Sequence, residues 1–375
     1  MVYLSKILKL KHKYYNYNMN FIINYEKGDL IDSEDLNELN QSLSREKNKI
    51  DEYRNKWDKI KKTINNYEYI YYNYNKNNNI SNIIPISRSF FKLKEIINKF
   101  KLIPENKIIN SFCMAEAPGG FIQSLQDYNI NKIYATTLLS DIDKDIPKWN
   151  HKISKYRNVK LLYGSKKNGD ICDIHNILNI IKVINKESLD LITGDGGFDY
   201  SEDYNKQEIN SLPLIYSEIL LALNLQKKGG CFICKIFDIF NNKTIKLLYF
   251  LSLQYEQFFL YKPCMSRLTN SEKYIVCIDY KGYDKTKINK LIHGFETKDL
   301  NIQIDSNFYD QIYEFNQKYI DIQVKNINKG INIIKYNSNI VSPTKDQIYF
   351  AINWCKKYNV PINPNCIHLN KTFIA

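Results

Sequence analysis

Four stretches of the 375-residue chain, and one lysine ahead of them, carry residue types that could do chemistry. Ala115-Glu116-Ala117-Pro118-Gly119-Gly120-Phe121 directly follows an apolar run that reads as a strand. Glycines at such a place let the backbone approach a cofactor closely, and the N-terminus of a following helix favours a carboxylate. The stretch is not GxGxxG, and it lacks the Lys-Ser/Thr of a nucleoside triphosphate loop. Leu189–Phe198 (LDLITGDGGF) again sets an acid, Asp195, among small residues at a strand end. Gly229–Lys235 (GGCFICK) finishes an apolar strand in a lysine, and burying that charge is costly unless a carboxylate compensates it. Ser266–Tyr274 (SRLTNSEKY) brings Glu272 to the start of a last strand, and Lys92 lies on a helix ahead of the sheet. Each stretch alone has a plainer account: a tight turn, a surface charge, an acid that caps a strand.

These residues need a frame that brings strand ends together. From about Ser87 to Tyr280 the chain alternates helix-like and strand-like text. Phe90, Leu93, Ile97 and Phe100 recur at a helical period. Strands are expected at Lys107–Ala115, Lys132–Leu138, Val159–Tyr163, Leu189–Thr193, Gly230–Phe237, Phe258–Tyr261 and Tyr274–Tyr280, with helices at 174–185, 205–226 and 242–253. Strands separated by helix-length segments imply an α/β fold with a mostly parallel, doubly wound sheet. In such sheets ligands bind beyond the carboxyl ends of the strands.

Two extensions flank this core. In residues 1–84, Leu36, Leu39, Leu43, Ile50, Tyr53, Trp57, Ile60 and Ile64 form a heptad-like stripe, interrupted at Glu46. The stripe predicts one long amphipathic helix over about 34–66, packed on the core or offered to a partner protein. The Tyr- and Asn-rich run 67–79 reads as a linker or loop. Residues 283–375 contain further helical text and read as a C-terminal appendage to the 85–282 core.

Composition bounds the rest. The chain has 53 Lys+Arg against 40 Asp+Glu, a net charge of +13. The excess is spread along the sequence, so it argues only weakly for a polyanionic partner. No run of about 18 apolar residues suggests a membrane span. Lysines interrupt the apolar N-terminus, unlike a signal peptide. Eight Cys in a chain of this length fit a reduced, intracellular protein rather than a disulfide scaffold. Cys231 and Cys234 form a CxxC without a second pair, and residues three apart on a strand face opposite ways, so both read as core cysteines. The five His show no ligand spacing, and no metal is expected. The abundance of Tyr, Asn, Lys and Ile fits an AT-rich coding source such as a large DNA virus, with the protein in the cytoplasm, at a replication site or in a virion.

Together and in this order, the motifs resemble those of FtsJ-like 2′-O-ribose RNA methyltransferases, most closely the cap-specific mRNA branch. That resemblance covers about 87–280 and implies a Rossmann-like class I methyltransferase core with a seven-stranded sheet. It implies a catalytic tetrad of Lys92, Asp195, Lys235 and Glu272. It assigns S-adenosylmethionine to Ala115–Phe121, to Asp170 and Ile171 after Gly169, and to Asp195. It assigns RNA, the capped 5′ end of mRNA, to Asn205, Lys206, Gln207, Arg267, Ser271 and Glu272. The sequence departs from the family at Cys113, where relatives carry an acid, and at Thr136-Thr137, which offer none to a cofactor ribose. Under this resemblance Lys235 is the base that takes the 2′-hydroxyl proton. A free lysine is protonated at neutral pH, so the expectation is that burial and the nearby Lys92 ammonium bring Lys235 down towards about 7–8. Two other readings remain: a methyltransferase of rRNA or tRNA, and a non-catalytic RNA-binding subunit of a capping complex.

Overall fold

The computed structural model describes residues 20–22, 28–32, 34–140, 143, 146–197, 204–297, 300–336 and 343–371. The strands are β1 (Asn20–Ile22), β2 (Leu30–Ile31), β3 (Ile109–Met114), β4 (Ile130–Ala135), β5 (Val159–Leu161), β6 (Leu189–Gly194), β7 (Gln226–Ile236), β8 (Tyr255–Tyr261), β9 (Lys273–Tyr280) and β10 (Ile304–Asp305). The main sheet runs β1-β8-β9-β7-β6-β3-β4-β5. Its central neighbours β5, β4, β3, β6 and β7 are all parallel, and β9 runs against both β7 and β8. This is the expected mostly parallel seven-stranded α/β sheet. The strand β1, from the N-terminal extension, adds an eighth edge strand antiparallel to β8. All six residues of β6 are buried, as suits an apolar strand covered on both faces.

Helices flank the sheet: α1 (Asn37–Asn48), α2 (Arg54–Thr63), α3 (Ser89–Phe100), α4 (Gly120–Leu125), α5 (Ile174–Ile184), α6 (Gln207–Leu225), α7 (Asn242–Ser252), α8 (Lys285–Thr297), α9 (Ser306–Lys335), α10 (Lys345–Lys357) and α11 (Ile367–Lys371). Among the described residues no helix is long and apolar enough to cross a membrane.

The structure corrects one expectation about the extensions and fills in others. The stripe over 34–66 is two helices, α1 and α2, separated by a turn through Asp51–Tyr53. The break follows Glu46, where the apolar stripe lapses, and the Arg54 guanidinium bonds Asp51 Oδ1 at 2.9 Å across it. Both halves pack on α9: the ring of Trp57 leaves no room for a side chain at Gly330, and Leu43 is buried. The stripe therefore packs on the C-terminal extension, with Ile50 and Trp57 left half-buried.

The 67–79 run is a loop, exposed at 74–77 but buried at its start. Tyr69, Ile70 and Tyr71 are buried, and with Ile80 they join Phe90, Phe91, Met265, Ile352 and Trp354 in a second hydrophobic core. The N- and C-terminal extensions thus fold together over α3. Asparagine makes this burial possible. Asn79 is fully buried; its Oδ1 accepts from Tyr72 N (2.7 Å) and Asn73 N (3.2 Å), and its Nδ2 donates to the carbonyls of Asn73 (2.8 Å) and Asn75 (3.2 Å). One side chain satisfies a loop backbone that would otherwise need water.

Asn79→Ala strands four backbone groups, so it should lower the unfolding free energy by about 2–4 kcal/mol in a urea titration. A neutral result would restore 67–79 to the status of a linker.

Candidate active site

Strand register explains how distant residues meet. Met114 pairs with Gly194, and Gly194 with Cys234, so β3, β6 and β7 end at one level. Ala115, Asp195 and Lys235 therefore stand side by side at the carboxyl edge. The chain lays β3, β4 and β5 to one side and β6 and β7 to the other, so this edge is also the sheet's switch point. Glu272 reaches the same edge because β9 is antiparallel and begins there; Lys235 pairs with Tyr274, two residues beyond it. Lys92 descends onto the site from α3.

These four side chains form two ion pairs. Lys92 Nζ lies 2.8 Å from Glu272, and Lys235 Nζ lies 3.5 Å from Asp195 Oδ1 while donating to the Asp195 carbonyl at 2.7 Å. All four side chains are nearly buried. Tyr274 donates its hydroxyl to Asp195 Oδ1 at 2.7 Å, and Ser266 donates to Glu272 Oε1. Beneath them the buried Lys262 spends its three N–H groups on Asn270 O (2.7 Å), Asn270 Oδ1 (2.8 Å) and Glu272 O (2.7 Å), which fixes the loop carrying Glu272.

The electrostatics depart from expectation. Burial pushes the Lys235 ammonium down, but the carboxylates of Asp195, Glu272 and Glu218 outweigh it and hold its pKa above the ordinary lysine value. Burial likewise opposes ionisation of Glu272, yet Lys92 and Lys235 bring its pKa to about 2.

A cleft of about 1010 Å³ opens at this edge, lined by Lys92, Asp195 and Lys235 together with Ala115, Ala117, Pro118, Asp170 and Ile171. Other residues of the expected cofactor loop face elsewhere. Glu116 is buried and accepts from the amides of Phe121 (2.6 Å) and Ile122 (3.3 Å), so its own carboxylate fills the start of α4. Gly119, at φ +114°, packs on Ile153; Gly120 packs on Ser87 and Ser89; Phe121 is fully buried. Cys113 is also buried, and Thr137 lines the cleft. Two charged lining residues escaped the sequence reading, Asp143 and Arg88. Asp143 is an acid six residues past Thr137, and only a search of the loop past that strand would have found it.

A smaller chamber of about 250 Å³ adjoins, lined by Glu272, Arg267, Asn270 and Ser271 of the β8–β9 loop and by Lys47, Trp57 and Lys61 of the N-terminal extension. Gln207 and Phe237 line both spaces. Among the expected RNA contacts, Gln207 sits between the two spaces, and Lys206 is exposed at the start of α6. Asn205 donates to Asn48 of α1 at 2.9 Å. Arg267 is half-buried and grips Glu68, with Nε at 3.1 Å and Nη2 at 2.6 Å. Ser271 is buried and donates to Asp238 at 2.7 Å. Phe198, beside Gly197, lies outside the described residues. Cys231 and Cys234 are both buried in β7, and Cys234 Sγ donates to Glu218 at 3.1 Å.

A family model described as FtsJ-like methyltransferase matches residues 85–280, just over half the chain. The chain belongs to the FtsJ-like methyltransferase family. Every residue of the two ion pairs lies inside the matched segment of this FtsJ-like chain, whereas Trp57, Lys61 and Glu68 lie outside it. The cap-specific mRNA (nucleoside-2′-O-)-methyltransferase of Autographa californica nuclear polyhedrosis virus is 30% identical over 249 residues, covering 66% of this chain and 86% of that protein. Cap-specific mRNA (nucleoside-2′-O-)-methyltransferase 2 of Danio rerio is 31% identical over 238 residues, covering 56% of this chain; the chain spans only 30% of that relative's length. A Caenorhabditis briggsae relative, 33% identical over 168 residues (43% of this chain and 20% of that protein), is named an inactive cap-specific mRNA (nucleoside-2′-O-)-methyltransferase 1B.

The depressed pKa of Glu272 makes a stability prediction. A carboxylate whose folded pKa lies below its unfolded one stabilises the fold above the unfolded value, about 4.3, and loses that contribution as pH falls towards about 2. Glu272→Gln should therefore flatten the dependence of unfolding free energy on pH between about 4.5 and 2. An unchanged slope in acid denaturation would refute the buried Lys92–Glu272 pair.

Proposed function

We propose that the chain is an S-adenosylmethionine-dependent RNA 2′-O-ribose methyltransferase that acts on the first transcribed nucleotide of capped mRNA. The observation that carries this reading is the meeting of Lys92, Asp195, Lys235 and Glu272 at one edge of the sheet, where the first three line the cleft and Glu272 lines the adjoining chamber. The cleft's chemistry fits the cofactor: small residues at Ala115 and Ala117, a close backbone approach at Gly169, and carboxylates at Asp143 and Asp170. Bound there, S-adenosylmethionine supplies an electrophilic methyl group on a sulfonium. Ala115, Ala117 and Pro118 would hold it against the edge of the sheet, and Asp143 would receive its ribose hydroxyls.

Lys235 Nζ takes the proton of the 2′-hydroxyl, making the oxygen a competent nucleophile. Lys92 Nζ, anchored by Glu272, orients that oxygen. Asp195 fixes Lys235, and Tyr274 fixes Asp195. Lys235 rests protonated, so its neutral form is a minor state at neutral pH and the rate should rise with pH into the alkaline range. RNA lies over Gln207 into the smaller chamber, where Trp57 offers a stacking surface and Lys61 and Arg267 offer charge to phosphates. The relatives named for cap-specific methylation support the capped 5′ end as the substrate.

Lys235→Ala should cut methyl transfer by about 10²–10⁴-fold while leaving S-adenosylmethionine binding intact by calorimetry. The substrate is tested with labelled cofactor on three RNAs: N7-methylguanosine-capped, uncapped triphosphate and structured rRNA. Label on the capped RNA alone is the expected result. Label on rRNA alone would move the assignment to rRNA or tRNA, and no label on any would make the chain an idle RNA-binding subunit.

A further inference from the structure

One buried acid near the site has no part in that mechanism. Glu218 lies on α6 among Ile215, Ile219, Leu221 and Ala222, and only 1% of it is exposed. Its carboxyl sits directly beneath the turn that carries Asp195. A Cβ at Gly194 would lie 2.5 Å from the Glu218 Cδ and 2.6 Å from Oε1, and one at Gly196 would lie 3.0 Å from Oε1. Glycine on both sides of Asp195 is what admits this carboxyl. Oε2 accepts from Cys234 Sγ, the residue preceding Lys235, at 3.1 Å. Oε1 makes no hydrogen bond of normal geometry, though the carboxyl feels the Gly196 amide. A carboxyl buried so deeply with half its hydrogen-bonding capacity unused is costly, and such groups cluster at functional sites.

We propose that Glu218 is a positioning residue that sets how tightly Lys235 holds its proton, acting from behind the Lys235–Asp195 pair. The proposal rests on Lys235 being the base. The titratable groups facing Glu218 are Cys234 and Lys235 from β7, Asp195 from the turn after β6, and Cys172 from the loop before α5. Burial raises the Glu218 pKa to about 8, against the pull of Cys234 and Lys235. Near neutral pH the carboxyl keeps its proton and adds no charge behind Lys235. Above that range it ionises, and its negative charge favours the Lys235 ammonium. Glu218 thus decides whether two carboxylates or three hold the proton on the base.

The test is an NMR titration of Lys235 Nζ in full-length protein labelled with ¹⁵N-lysine, the signal being assigned by its loss in Lys235→Arg. In the wild type, Lys235 should show a secondary inflection close to pH 8, where Glu218 ionises. In Glu218→Gln that inflection should vanish, and the Lys235 midpoint should fall by about half a pH unit or more. The rise of kcat with pH should move to lower pH in the same variant, which a side chain needed only for packing would not cause. A wild-type titration without the inflection, or an unmoved midpoint in the variant, overturns the proposal. If Glu218→Gln does not fold, the wild-type inflection decides alone. The titration uses no substrate, so it is independent of whether Lys235→Ala abolishes methyl transfer.

Discussion

Two buried lysines can share one cleft only if carboxylates reach them from separate strands, and the direction of β9 makes this happen. Parallel strands present only their carboxyl ends at the active edge. Asp195 and Lys235 arrive that way, from β6 and β7. Glu272 must arrive from a strand's beginning, which an antiparallel β9 between β7 and β8 supplies. Were β9 parallel, Glu272 would stand at the opposite edge and Lys92 would face the cleft with its charge uncompensated, a cost of several kcal/mol. The same geometry puts Tyr274 beside Lys235, within reach of Asp195.

The extensions serve this arrangement from outside. Glu68, fully buried, accepts from Arg88 at 3.3 Å and from Arg267 at 2.6 Å. Arg88 lies one turn before Lys92, and Arg267 lies five residues before Glu272. One carboxylate from the N-terminal extension therefore ties together the two segments that deliver the Lys92–Glu272 pair. Trp354 of α10 similarly donates its indole N–H at 2.7 Å to Glu95, on the same helix as Lys92. The family-matched core alone would leave Glu95, Arg88 and Arg267 short of these partners.

The sheet was legible because its strands are apolar runs bounded by turns, a local signal that needs no partner to interpret. Asp195, Lys235 and Glu272 stood out in motifs at those strand ends and Lys92 on the helix ahead of them, and the structure brings the four together. What escaped the sequence depends on contacts between distant segments. Asn-rich text looks like a linker until Asn79 is seen to satisfy the backbone around it. A heptad stripe looks like one helix until α9 requires a bend in it. Glu116 looks like a cofactor ligand because an acid beside glycines suggests one, yet two amides of α4 claim it first. The Lys235 pKa was misjudged for a similar reason: the sequence displays Lys92 and Lys235 as neighbouring cations, but not that Glu272 pairs with the first or that Glu218 stands behind the second.

The two lysines are not equivalent, because their partners differ. Glu272 binds Lys92 at 2.8 Å and has a strongly lowered pKa, so that carboxylate stays charged over the whole neutral range. Lys235 has a longer contact, 3.5 Å, to a carboxylate oxygen that Tyr274 also occupies, and its closest partner is a neutral carbonyl. Its ammonium is stabilised by charges at longer range, which weaken with any added positive charge or any proton gained by a neighbouring carboxyl. Of the two, Lys235 is the lysine whose closest partner is not a carboxylate, and that asymmetry suits it to the part of base in the proposed mechanism.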